Sequence, residues 1–180
     1  MTLMKKERLF VSIDIPEGIK KEILKIQNKL PEFQGKKTTP ENLHLTLKFL
    51  GEIDEKNTIE LKKRLGKIKF NGFETKISEI GVFSPQHVRI IWLKLNNCEK
   101  LQKNIDYGLK GLFKEEVRFM SHLTIARVKN VNNRKIFLDE LKKIELPKNV
   151  SFLVDLFYLK KSKLRPDGPI HTILEEYPLE

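Results

Sequence analysis

Apolar positions come in short bursts along this chain, and their spacing changes from burst to burst. RLFVSIDIP (8–16) is continuous, β-branched and stopped by Pro16, which predicts a strand. EGIKKEILKIQNKL (17–30) instead sets Ile19, Ile23, Ile26 and Leu30 at helical spacing. GKKTTPENLH is rich in turn residues and predicts a loop or short strand. LHLTLKFLGEI (43–53) alternates as a half-buried strand does and ends at Gly51. EKNTIELKKRLGKI (55–68) predicts a helix with Leu61, Leu65 and Ile68 inward. FETKISEIGVF (73–83) and VRIIWLKL (88–95) predict strands about a turn at Ser84-Pro85. CEKLQKNIDYGLKGLF (98–113) carries one stripe of Leu101, Ile105, Leu109 and Leu112. A strand over 122–130, a helix over 133–144 and two strands over 150–162 and 170–179, about the KLRPDG turn, complete the order.

No low-complexity stretch or linker divides the 180 residues, so the whole chain, 1–180, is expected to be a single domain. It has an internal echo, however. HLTL (44–47) and HLTI (122–125) are each followed by a polar loop and then a helix containing Glu-Leu-Lys-Lys, at 60–63 and 140–143. Such quartets are common on solvated helices, but with the strands they predict two lobes on a common plan, one His-x-Thr in each.

Composition changes this picture modestly. No apolar run approaches the roughly 20 residues needed to span a bilayer. The N-terminal MTLMKKERLFVSIDIP has lysines but no signal-peptide core, and a single Cys98 makes no intramolecular disulfide; both point to the cytoplasm. The net charge of +11 at pH 7 favours polyanionic partners, although a solvated lysine-rich surface gives the same number.

The chemistry lies in the two tetrapeptides. Strand alternation puts His44, Thr46 and Lys48 on one face, opposite Leu45, Leu47 and Phe49. It puts His122, Thr124 and Ala126 on one face, opposite Leu123, Ile125 and Arg127. If the polar faces meet, two imidazoles and two hydroxyls converge on one cleft. Each His lies about 6–7 Å from its Thr. That set suits phosphodiester chemistry: one imidazole takes a proton, the other gives one, and the hydroxyls hold non-bridging oxygens. A lone strand histidine is ordinarily structural; two in matched frames are not ordinary. Zinc would require a third ligand, and His87 and His171 lack matching spacing, so neither metal nor cofactor is expected.

These motifs and their flanks resemble the two-histidine (2H) phosphoesterases, and more closely the RNA 2′,3′-cyclic phosphodiesterases, also called LigT-like 2′-5′ RNA ligases. The resemblance runs from RLFVSIDIP through NLHLTLKFLGEI, VRIIWLKL and FMSHLTIARV to LKKSKLRPDGPIHTILEEYPL. It implies a bilobal, pseudo-twofold α+β fold, with two antiparallel sheets facing a central cleft and helices outside. It implies metal-free opening of a terminal 2′,3′-cyclic phosphate to a 2′-phosphate, with reversible 2′-5′ joining of tRNA halves, by a monomer. His44 would be the general acid and His122 the general base; Thr46, Thr124 and Arg127 would hold phosphate. The alternatives are another 2H activity on small cyclic nucleotides and a non-catalytic RNA-binding module. By simple alternation Arg127 lies on the wrong face and needs a bend or bulge after Ala126 to reach the phosphate. Two positions depart from the family pattern. Lys48 is a candidate RNA contact or a lysine reaching solvent. His171, where an aromatic is common in relatives, is a candidate base or ribose contact or a solvated strand histidine.

Overall fold

The computed structural model describes residues 6–180; the first residues of the stretch weighed against a signal peptide lie outside them. The described chain runs β1 (Glu7–Asp14), α1 (Glu17–Asn28), β2 (Gln34–Lys37), a 3-10 turn (Pro40–Asn42), β3 (His44–Ile53), α2 (Glu55–Leu65), β4 (Phe73–Val82) and β5 (Ile90–Leu95). It continues α3 (Glu99–Gly108), β6 (His122–Asn130), α4 (Arg134–Lys142), β7 (Ser151–Val154), β8 (Leu156–Lys163) and β9 (Ile170–Pro178).

The fold is α+β, and every strand pairing is antiparallel. The path β7-β4-β5-β6-β3-β1-β8-β9 falls into two four-stranded halves, β9-β8-β1-β3 and β6-β5-β4-β7. They join at one residue pair, Leu45 opposite Leu123, so the sheet is pinched where the two histidine strands meet. The connections cross between halves: after β3 and α2 the chain enters the second half as β4, and after β6, α4 and β7 it re-enters the first as β8. The single strand expected over 150–162 is therefore two. β7 pairs with β4 and β8 with β1, with the change of partner at Asp155. β2 lies along the part of β6 that β3 leaves uncovered.

The helices cover the apolar side. Asp54 caps α2 by accepting from the Asn57 amide, and Asn133 caps α4 by accepting from Ile136. Ile23 and Ile26 of α1 and Leu101 and Ile105 of α3 are fully buried among Leu45, Leu47, Leu123 and Ile125. Each central helix reaches across the pinch, α1 lying against β6 and α3 against β3.

Candidate active site

Antiparallel pairing at Leu45 and Leu123 fixes the geometry of the neighbouring residues. Both leucines are buried on the helix side, so His44, Thr46, His122 and Thr124 rise from the opposite face. Extending the register sets His44 across from Thr124 and Thr46 across from His122, with cross-strand neighbours at about 5 Å. Four side chains thus surround a local twofold axis through the leucine pair.

Both imidazoles are held the same way. His44 Nδ1 lies 2.9 Å from Asn42 O, and His122 Nδ1 lies 2.8 Å from Met120 O. A carbonyl only accepts, so in each ring Nδ1 carries the hydrogen and Nε2 is left for chemistry. Each ring also meets a phenylalanine: Phe10 is tilted on His44 at 5.1 Å, and Phe83 meets His122 edge-on at 4.8 Å. Burial pushes the His44 imidazole down to about 3; charge on His171, Lys160 and Arg127 adds to this, and the bond to Asn42 opposes it. Burial likewise lowers His122, helped by Arg127 and opposed by the Met120 bond. Both rings are thus biased toward the neutral form, and an anion between them would draw a proton back.

The question about Arg127 is answered by a bulge one residue earlier than expected. Against β5, Ala126 pairs with Ile91 and Thr124 with Trp92, which leaves Ile125 as the extra residue. Ile125 and Ala126 are both buried, the alternation reverses, and Arg127 emerges on the histidine face. Ile125 O accepts from buried Gln27 Nε2 of α1 at 2.7 Å and from Thr38 N at 2.8 Å, so the bulge is pinned from behind. Arg127 is exposed and has no ion-pair partner among the described residues.

The same irregularity in β3 corrects the reading of Lys48. Against β1, Lys48 pairs with Val11 and Thr46 with Ser12, which leaves Leu47 as the extra residue. Lys48 therefore turns to the helix side, away from His44. Its side chain, 5% exposed, forms an ion pair with Asp106 of α3 and donates to Lys114 O at 2.6 Å. Asp106 also accepts from Gln102 Nε2 and the Glu116 amide. Burial would raise the Asp106 carboxyl, but the bonds from Lys48, Glu116 and Gln102 hold it below the usual carboxylate range. Lys48 is thus a buried anchor of α3 and not a group on the cleft. Phe49 takes the cleft face instead, 75% exposed, at the position equivalent to Arg127.

Alternation also hid what frames the site. Phe10 and Ser12 of β1 share the faces of Phe49 and Thr46. Trp92 of β5 shares that of Thr124, and Gly81 makes room for it, since a Cβ there would lie 2.7 Å from the indole. Ser12 Oγ and Trp92 Nε1 are buried beside the two threonines without hydrogen-bond partners among the described residues. His171 of β9 is not a solvated strand histidine: its ring meets His44 at 5.0 Å. His87 lies in the exposed turn after β4. Lys36 of β2 pairs with Arg127 and so shares its face, whereas Lys37 turns back to Asn28 Oδ1 of α1. Gly35 permits that approach, because a Cβ there would lie 2.2 Å from Arg127 O. Among the described residues, no three His, Cys, Asp or Glu gather as a metal site, and no helix is long and apolar enough to cross a membrane.

The fold and these motifs have counterparts. The family model described as LigT-like phosphoesterase matches residues 13–92 and 95–171. The RNA 2′,3′-cyclic phosphodiesterase of Methanocaldococcus jannaschii is 38% identical over 94% of this chain and 99% of its own. That of Methanothermobacter thermautotrophicus is 35% identical over 97% of this chain and 100% of its own. Among solved structures, E. coli LigT complexed with 3′-AMP superposes with a TM-score of 0.79 at 26% identity, covering 97% of this chain and 98% of that one. TT0787 of Thermus thermophilus superposes with a TM-score of 0.76 at 27% identity, covering 95% and 97%. On the family match, the identity over nearly full length and the shared fold, the chain belongs to the LigT-like phosphoesterase family.

Proposed function

We propose that the protein is a metal-independent RNA 2′,3′-cyclic phosphodiesterase that opens a terminal cyclic phosphate to a 2′-phosphate. The observation that carries this is the quartet about the Leu45–Leu123 pair: two imidazoles with Nδ1 tied to backbone and Nε2 free, each across from a threonine. The activity is the one named for the relatives from M. jannaschii and M. thermautotrophicus. The chain acts as one domain, each lobe supplying one His-x-Thr.

His122 Nε2 takes a proton from water, whose oxygen attacks phosphorus. The P–O3′ bond breaks as His44 Nε2 delivers a proton to the departing 3′ oxygen. Thr46, Thr124 and Arg127 hold the non-bridging oxygens, with Arg127 contributing a forked, permanently charged donor. His44 is neutral in the free site, and the phosphodiester anion raises its proton affinity as it binds, so the acid is armed by its substrate. With a 5′-hydroxyl-ended RNA in place of water, His122 takes the proton of the attacking 5′ oxygen, the P–O3′ bond breaks as before and a 2′-5′ bond forms, the reaction that would join tRNA halves; the reverse step cleaves that bond. Both motifs come from one chain, so a monomer suffices. A single buried thiol, Cys98, suits a reducing cytoplasm.

RNA is favoured over a free cyclic nucleotide because Lys36 extends the cationic face of Arg127 outward along β2, where the next phosphate of a strand would lie. Product analysis on an oligonucleotide ending in a 2′,3′-cyclic phosphate tests the proposal. The wild type should yield the 2′-phosphate, and His44→Ala and His122→Ala should each lose several orders of magnitude in rate with unchanged circular dichroism. A 3′-phosphate product would reverse the histidine roles, and near-normal turnover by His44→Ala would sink the mechanism.

A further inference from the structure

The mechanism above uses two histidines, yet a third stands in the site. His171 lies on β9 opposite Ser162 of β8. Its ring meets His44 edge-on, with centroids 5.0 Å apart and planes at 84°. It meets Phe10 at 5.0 Å and 73°, and Phe10 in turn lies on His44 at 5.1 Å. The three rings close a triangle with the proposed acid at one corner. His171 Nδ1 is buried there without a hydrogen-bond partner among the described residues, so this ring lacks the backbone tether that fixes His44 and His122.

The charges around the triangle come from several elements. Asp14 of β1 and Lys160 of β8 pair with each other, the Lys160 ammonium also lying over the Tyr158 ring at 5.4 Å. His44 faces in from β3, and Arg127 bears on it from β6. Burial disfavours a charge on either ring, Lys160 adds to this for both, and Asp14 supplies an opposing charge to His171; beyond that, two imidazolium ions at ring-contact distance repel.

We propose that His171 is a positioning residue that acts through His44, wedging its ring edge-on and competing with it for one shared proton. The inference rests on reading His44 as the acid. With the cleft empty, protonation of either ring opposes protonation of the other, and the two titrate as a coupled pair. A phosphodiester beside His44 Nε2 assigns the proton to His44 and leaves His171 neutral. The acid strength of His44 is thus set by its neighbour being titratable; a phenylalanine at 171 would keep the wedge without the competition.

Histidine-selective nitrogen–proton NMR on the free protein tests the coupling without reference to turnover. In the wild type, the His44 and His171 resonances should each show two inflections at common midpoints. In His171→Phe, which keeps a ring in the triangle, His44 should titrate in one step at a higher midpoint. Assayed on a 2′,3′-cyclic nucleotide, His171→Phe should hold kcat at its optimum within about threefold while the alkaline limb of kcat/KM, which reports the free site, moves up in pH. His171→Ala, which loses the wedge, should drop kcat about tenfold or more with KM little changed, a displaced acid costing rate rather than affinity. One-step titration of His44 in the wild type, or a pH–rate profile that His171→Phe leaves unmoved, overturns the proposal. His44→Ala separates the two readings. Coupled NMR curves with an active His44→Ala protein would remove the acid role and the catalytic half of this proposal with it. Uncoupled curves with an inactive His44→Ala protein would keep the acid and discard the partnership.

Discussion

Asp106→Ala offers a direct measure of how firmly the histidine strand is anchored from behind. The Lys48 and Asp106 side chains are each 5% exposed, and no second carboxylate is paired with Lys48 among the described residues. Removing the acid leaves an ammonium in the interior with one carbonyl, Lys114 O, for company. Breaking a buried pair from one side costs about 3–5 kcal/mol. For a chain of this size each kcal/mol is worth roughly 2–4 °C in Tm, so the variant should melt about 6–20 °C lower. With Lys48 already Met, the same change leaves only the neutral donors Gln102 Nε2 and Glu116 N without their acceptor, at about 1–3 kcal/mol. Urea unfolding of the four proteins should therefore give a coupling energy of about 2 kcal/mol. The same cycle checks the placement of Lys48: Lys48→Met should leave the salt dependence of RNA binding unchanged. Equal costs of Asp106→Ala in both backgrounds, or a shallower salt slope in Lys48→Met, would refute the reasoning.

Four further outcomes follow from the site. Arg127→Ala should lower kcat/KM about 10²–10³-fold, the usual loss for one transition-state donor, and Arg127→Lys should recover only part of it, since the fork is gone. Lys36→Ala should raise KM for a cyclic-phosphate oligonucleotide and flatten its salt dependence by about one phosphate contact, while leaving a cyclic mononucleotide untouched. Phe49→Ala should leave the melting temperature unchanged, because the ring is 75% exposed, yet weaken RNA binding by about 1–3 kcal/mol if a base stacks there. The folded protein holds His44 at about 3 and His122 below its ordinary value, whereas the unfolded chain protonates both near 6.5. The unfolded state then binds more protons between those values, so stability is full above about pH 6.5 and falls as the pH drops through that window. His44→Phe should make this acid-side decline shallower in thermal melts across pH.

Much of the fold was legible in the alternation of apolar positions, because one buried face per element leaves a simple period. The lost information sits where that period breaks. Leu47 and Ile125 are extra residues in their strands, and apolar like their neighbours, so a strict count by two runs through them and puts Lys48 and Arg127 on the wrong faces. The signal was nonetheless present: Leu-Lys in 47–48 and Ile-Ala in 125–126 occupy the same place in two matched frames, followed by Phe49 and Arg127. The division at Asp155 was invisible because both daughter strands are apolar and contiguous; only their partners differ. His171 could not be tied to His44 from the sequence, since 127 residues separate them and β1 and β8 lie between their strands.

The paired bulges have a consequence for direction. A site with full twofold symmetry would accept a phosphodiester either way round, and the leaving oxygen would face either histidine with equal ease. Positions 49 and 127 are equivalent in the two halves, but one presents a hydrocarbon ring and the other a guanidinium. A nucleotide is just as lopsided, with a flat base at one end and an anion at the other. The mismatch between Phe49 and Arg127 is what would give a nearly symmetric trough a sense of 5′ and 3′, and with it one histidine that always meets the departing oxygen.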